Sequence, residues 1–412
     1  MCEARAILFC LTCVMGVVVA SDRHASAQDK SSNDWPCWRG PHHNGISAEA
    51  DWDRSWPVTG PKIAWKASVG NGFSSFAVAG GRVYTMGNTK DVDTVFCLDA
   101  ETGKALWKHD YPCPLTPLSY EGGPSATPAV DGDWVYTLSK SGQVFCLDAA
   151  TGDVVWSKKL DAAPRQDGDY AVDWGYAASP LVLGEKLVLS VGWAGMALNK
   201  STGKLIWDNG PGRPGYSTPV PFTLGGRQGL AMLVARGVVA VEADSGKLLW
   251  TIPWRTTWDQ NAPDVLVSDG KLFVSTGHGV GCALYEIAGG TPKEIWRNKN
   301  MRNELSSSVL WRGFVYGFDS NRLVCIAWPT GERQWSESGL GRGTLTLVDG
   351  HLVALGDQGK LVLAETNSEG FKALRTLPMP AEGRYWTAPV FSGGRIFIRN
   401  AVGDVVCMDV RK

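Results

Sequence analysis

Apolar and polar residues alternate with period two along most of this chain. Short runs such as Arg82-Val83-Tyr84-Thr85 and Trp134-Val135-Tyr136-Thr137 have the pattern of half-buried β-strands. Between them stand turn pairs: Asp131-Gly132, Ser141-Gly142, Asp269-Gly270 and Asp349-Gly350. Such pairs supply the backbone that tight hairpins require. With 49 Gly and 22 Pro scattered throughout, no amphipathic stretch of 18 or more residues is free of either. The prediction is an all-β fold.

A larger unit is laid over this alternation. An apolar strand, a turn and a second strand lead to Leu-Asp-Ala-x-Thr-Gly-x-x-x-Trp, as at Leu98 to Trp107 and Leu147 to Trp156. Further copies close on Gly203 and Trp207, Gly246 and Trp250, and Gly331 and Trp335. Two are degenerate: one keeps Trp296 with Pro292 in the Gly position, the other keeps Gly370 with Leu374 in the Trp position. An eighth copy, from Tyr385, reaches Met408-Asp409 without a closing strand, and the segment around Trp65 carries a Trp with no repeat before it. Closing positions recur every 39 to 51 residues, the spacing of four-stranded propeller blades. A lone four-stranded sheet cannot bury both faces, but a closed ring of them can. The expected fold is therefore an eight-bladed β-propeller over 61–412, its ring closed by the strand around Trp65.

Trp65, Trp107, Trp156, Trp207, Trp250, Trp296 and Trp335 share one register and read as docking groups between blades, each burying on the order of 200 Å². Cys97, Cys146 and Cys325 lie ten residues before their Trp; Ala197 and Ala240 take that place in other blades, and Cys407 in the last. A slot that accepts Cys or Ala is small and buried, so these four are expected to be free thiols. Cys37, Cys113 and Cys282 fall outside the pattern, and a Cys37–Cys113 bridge stays open.

The N-terminus changes the cellular picture. Arg5 precedes an uninterrupted apolar or small run, Ala6 to Ala20, shorter than the roughly 20 residues of a membrane span. Ala25-Ser26-Ala27 follows as a cleavage pattern, with cleavage after Ala20 as the alternative. Residues 1–27 thus read as a signal peptide and 28–60 as an extended leader capping the propeller, in a periplasmic or secreted protein. The net charge of −1, with no basic runs, excludes the electrostatic footprint of a nucleic-acid binder. Nothing asks for a membrane span, and a monomer is expected.

The repeated endings resemble the pyrroloquinoline-quinone (PQQ) repeat over residues 61 to 412. The resemblance implies the propeller, and two kinds of function. Quinoprotein alcohol and glucose dehydrogenases oxidise substrates; BamB-like propellers bind proteins in outer-membrane assembly. Trp35-Pro36-Cys37-Trp38-Arg39-Gly40-Pro41, with Asn44-Gly45, looks like the leader of secreted PQQ-like propellers. The dehydrogenase pattern is incomplete: no two cysteines are adjacent, and no Cys-x-x-Cys-His haem site is present. The six His residues have no zinc spacing, and no nucleophile elbow or phosphate-binding loop occurs. No cofactor or metal is predicted; PQQ with calcium belongs to the alternative reading, a PQQ-dependent alcohol or sugar dehydrogenase.

What remains is the loop before each blade's innermost strand, where small residues and Pro recur, as in Ser125-Ala126-Thr127-Pro128 and Ser217-Thr218-Pro219. These loops should converge on one face around the channel. They deliver Tyr120, Glu121, Asp173, Trp174, Tyr176, Arg213, Tyr216, Gln260, Asn261, Asn303, Glu304, Arg342, Arg384, Tyr385 and Trp386. Both charge signs mixed with aromatics make a recognition surface. The expectation is a non-catalytic binding module for a cell-envelope protein, a peptide or a small polar ligand.

Overall fold

The computed structural model describes Met1 and residues 33–160 and 174–412; the rest of the segment read as a signal peptide, 2–27, lies outside this set. The body forms eight antiparallel sheets of consecutive strands. Blades 1 to 7 span residues 77–112, 129–159, 181–208, 220–253, 266–298, 309–337 and 344–378. Blade 8 takes three strands from 390–409 and its outermost strand, Lys62–Ser68, from the other end of the chain. Asp269-Gly270 and Asp349-Gly350, both at positive φ, turn the first hairpin of their blades, as the strand twist demands.

Each blade carries a register shift between its third and fourth strands at the residue before the docking position. The bulge rotates the Trp onto the next blade. Trp65, Trp107, Trp156, Trp207, Trp296 and Trp335 each donate their indole N–H to a main-chain oxygen of the following turn, at 2.5–3.1 Å. Trp250, facing the degenerate turn of blade 5, has no such partner. The conserved register of Gly has a direct cause. A Cβ on Gly103, at φ +69°, would lie 2.5 Å from the Trp65 ring.

The small slot is explained by pairing. Cys97 faces Trp107, Cys146 faces Trp156, Ala197 faces Trp207, Ala240 faces Trp250, Cys325 faces Trp335 and Cys407 faces Trp65. A bulky residue there would push the indole off its neighbour. All seven cysteines from Cys37 onward are free and buried, so the open Cys37–Cys113 bridge is not made.

Blade 7 corrects the sequence alignment. Its turn, like that of blade 5, holds two more residues than those of blades 1–4 and 6, and pairing places Arg375, not Leu374, in the docking slot opposite Leu363. The Arg375 guanidinium donates to the Trp56 carbonyl at 2.5 Å. Trp52 and Trp56, both 1% exposed, pack there among Leu361, Leu363, Phe391, Ile396 and Met408. Two leader tryptophans thus fill the seam that the repeat leaves unfilled.

At the opposite seam Arg399 of blade 8 is fully buried without a carboxylate partner. It donates to the carbonyls of Gly70, Ser74 and Met86 and to Thr85 Oγ1 at 2.7–3.1 Å. Burial lowers its pKa to about 9. Four neutral acceptors, two from blade 1 and two from the segment leading into it, replace its water shell and tie the last blade to the first.

The leader does more than cap a face: it fills the channel. Asn33 bonds Ser392, Trp35 exchanges two backbone hydrogen bonds with Val78, and the Pro36 carbonyl takes the Val130 N–H. The chain rises to Trp38 and reverses over 39–45, where Arg39, Gly40, His43 and Gly45 have positive φ. It then descends with Ile46–Ser47 parallel to Leu347 and Val348. Glu49 receives the N–H groups of Gly393 and Gly394 on the way out. The innermost strands of blades 1, 2, 7 and 8 therefore grip this segment directly.

Candidate functional site

Because every innermost strand runs the same way, the loops preceding them meet on one face. They are tied by a belt of hydrogen bonds from one blade to the next. The backbone N–H of Ser75 donates to Thr127 Oγ1, Thr127 to Ser179 Oγ, Ser179 to Thr218 Oγ1, Thr218 to Asp264 Oδ1 and Asp264 to Ser307 Oγ, at 2.7–3.0 Å. Hydroxyls satisfy these buried donors in every place but one. Asp264 has a second oxygen to spare, and Oδ2 accepts the Trp38 indole N–H at 2.6 Å. The Arg39 guanidinium lies 3.8 Å away and donates to the Ser308 carbonyl at 2.6 Å. Burial pushes the Asp264 carboxyl up and the Arg39 guanidinium down, while their mutual attraction opposes both shifts. The belt is thus the latch that holds the tip of the leader.

Above Trp38 opens a cavity of about 570 Å³. One wall is aromatic and continuous. Trp386 stacks on Phe73 at 5.4 Å, Phe73 meets Tyr120 edge-on at 5.2 Å, Tyr120 stacks on Trp174 at 6.2 Å, and Trp174 meets Tyr216 at 5.9 Å. The wall crosses blades 8, 1, 2, 3 and 4 in order. Partial burial raises the Tyr120 pKa, so its hydroxyl stays protonated. The other wall carries Gln260, His278, Glu304, Ser320 and Arg342. Arg342 pairs with Glu304 at 3.0 Å. Arg384 lies over the Trp386 ring at 4.4 Å and pairs with Glu121 at 3.6 Å.

Seven of the residues expected on this face line the cavity: Tyr120, Trp174, Tyr216, Gln260, Glu304, Arg342 and Trp386. Glu121 and Arg384 stand behind them, and Arg213 braces Asp259 at 2.6 Å. Four others are built into the scaffold. Tyr176 is buried between blades 2 and 3 among Leu138, Leu160 and Leu189. Asn261 donates to the Val234 and Ala235 carbonyls. Asn303 donates to the Phe318 carbonyl, and Tyr385 is buried with its hydroxyl on the Ala381 carbonyl. Alternation within a loop turns such neighbours inward. Asp173 lies outside the described residues. Phe73, Trp38, Asp264 and His278 were not anticipated. Phe73 had a readable signal, since Phe73-Ser74-Ser75 repeats the aromatic-then-hydroxyl order of Tyr216-Ser217-Thr218.

The calcium-bound quinone implied by the fold needs several converging oxygen ligands, carboxylates among them. The cavity's two carboxylates are engaged, Glu304 with Arg342 and Asp264 with Trp38, Thr218 and Arg39. Among the described residues no three His, Cys, Asp or Glu side chains come together. This donor set does not fit that group.

Among the described residues no helix is long and apolar enough to cross a membrane. The family model described as outer membrane protein assembly factor BamB matches residues 50–123, 114–337 and 235–412. No curated protein matches the chain. Among solved structures, BamB from Moraxella catarrhalis is 15% identical, with a TM-score of 0.64 over 85% of this chain and 99% of that one. The quinohemoprotein alcohol dehydrogenase from Comamonas testosteroni is 13% identical, with a TM-score of 0.64 over 91% and 80%. The computationally designed Ika8 protein is 13% identical, with a TM-score of 0.60 over 89% and 99%. At these identities the structural matches speak for the fold, and the family match goes further: the chain belongs to the BamB-like family of PQQ-repeat β-propellers.

Proposed function

We propose that this is an exported, non-catalytic propeller that binds a protein, peptide or small polar ligand in its funnel. The observation that carries the reading is the 570 Å³ cavity with an aromatic wall, a polar wall and a floor supplied by the latched Trp38. Concave sites with aromatic lining and a few fixed polar groups are how folds of this kind hold ligands. The family's description as an assembly factor for outer membrane proteins supports a partner in the cell envelope. Export follows from the Ala6 to Ala20 run and the Ala25-Ser26-Ala27 pattern.

The test is capture from envelope extract by the tagged full chain, with N-terminal sequencing of the processed product. Capture should be lost in Arg342→Ala with Arg384→Ala, and the new N-terminus should be Gln28. Capture unchanged by both substitutions would refute the funnel. A stoichiometric complex on adding quinone and calcium, with dye-linked oxidation of an alcohol or sugar, would replace this reading with the dehydrogenase.

A further inference from the structure

We infer that the funnel takes a neutral carbohydrate, an inference that rests on the funnel being the binding site. Two observations converge. The first is charge. Among the described lining residues the charged groups are Asp264, Glu304 and Arg342, and each already has an opposite partner, Glu304 with Arg342 at 3.0 Å and Asp264 with Arg39 at 3.8 Å. An ionic ligand would have to break such a pair, whereas a neutral one leaves both intact.

The second is the division of the wall. Five rings from Trp386 round to Tyr216 form one side, opposite the amide of Gln260, the carboxylate of Glu304 and the guanidinium of Arg342. A pyranose has the matching asymmetry: C–H groups on its faces and hydroxyls around its edge. Planar two-pronged side chains suit adjacent hydroxyl pairs, and flat aromatic surface suits the C–H faces. A peptide strand would instead seek a row of backbone donors and acceptors. Here the residues just before the innermost strands are buried, and their backbone N–H groups are already bonded from blade to blade through the hydroxyl belt.

The experiment is calorimetric and fluorescence titration of the full processed chain. The probes are glucose, the neutral trisaccharides cellotriose and maltotriose, and matching insoluble glucans in a pull-down. Chitotriose and galactotriose extend the neutral set, and an uncharged tripeptide and polygalacturonate are the contrasting probes. At least one neutral sugar should bind and perturb tryptophan emission. Trp386→Ala and Gln260→Ala should each weaken it about tenfold, the loss of one good contact, with melting unchanged. Gln260, being only partly buried, keeps the test alive if the Trp variant misfolds. Binding of the soluble trisaccharides would mark a free oligosaccharide as ligand, and retention on the glucans alone a polymer. No neutral sugar bound at about 10 mM, or binding of the tripeptide or polygalacturonate alone, overturns the inference while leaving the funnel reading to the capture experiment. A sugar whose affinity ignores both substitutions overturns the inference and the funnel together.

Discussion

The junction between blades 1 and 2 and the junction between blades 7 and 8 solve one packing problem by different means. At the first, Trp107 lies on Gly152 of the next turn and donates to the Ala149 carbonyl at 3.0 Å. Everything needed is written into the repeat. At the second, Arg375 occupies the docking slot, and Trp52 and Trp56 arrive from a segment about 300 residues earlier to make the core. A repeat makes interchangeable seams cheaply, but where one blade departs from it, as blade 7 does, the missing groups must come from elsewhere in the chain. Here the leader that fills the channel also makes that seam, and adjacent blade 8 is completed by Lys62–Ser68.

The comparison can be broken most directly at the closing strand. Removing residues 61–66 leaves blade 8 without its outermost strand and Trp65, and the variant should show no cooperative unfolding transition by circular dichroism. Unchanged melting would refute the closure. Next come the leader tryptophans. Trp52→Ala and Trp56→Ala should each cost about 3–5 kcal/mol in denaturant unfolding, as emptied aromatic sites do. Trp107→Ala should fall at or below that range, because its outer edge is less enclosed. Equal effects, or smaller ones for the leader pair, would mean that the seam does not depend on the leader.

Acid should probe the leader through its turn inside the channel. Burial holds the His43 imidazole down at about 4 from its ordinary 6.5. The unfolded chain therefore takes up a proton at a pH where the fold does not. The stability this contributes is complete above about 6.5 and is lost progressively as pH falls to about 4, by about 1–3 kcal/mol. His43→Asn, which tolerates the positive φ, should flatten that part of the melting-temperature profile. The smallest contrast isolates one hydrogen bond. Trp107→Phe should cost about 1 kcal/mol more than Trp250→Phe, because Trp250 has no acceptor to lose. Equal costs would show that the indole N–H contributes nothing to docking.

How much of this was legible follows from what repeats. The alternation and the Thr-Gly-x-x-x-Trp register announced the blades, their number and the closing strand, because each copy meets the same neighbours. The Cys or Ala slot was legible as small and buried, though not its reason, the Trp directly across the strand pair. Where the turn of blade 7 gains two residues, one of them after Gly370, counting from Gly370 gave Leu374 and pairing gave Arg375. The candidate site was half visible. Loops can be assigned to a face from strand direction, but not which of two adjacent residues points inward, as Tyr385 beside Trp386 shows. Trp38 and Asp264 were invisible because their meeting at 2.6 Å spans 226 positions and depends on the leader turning inside the channel.

The seven buried thiols bear on how this protein would fail. Burial pushes them up to about 11 or 12, so at neutral pH they are unreactive as long as the ring is shut. Once the ring opens they return to ordinary acidity within one flexible chain, free to couple with one another in combinations that no folded blade can accept. In air-saturated buffer, unfolding becomes a one-way step. The lifetime of the molecule is then set by how seldom the ring opens, rather than by the balance between its open and closed forms.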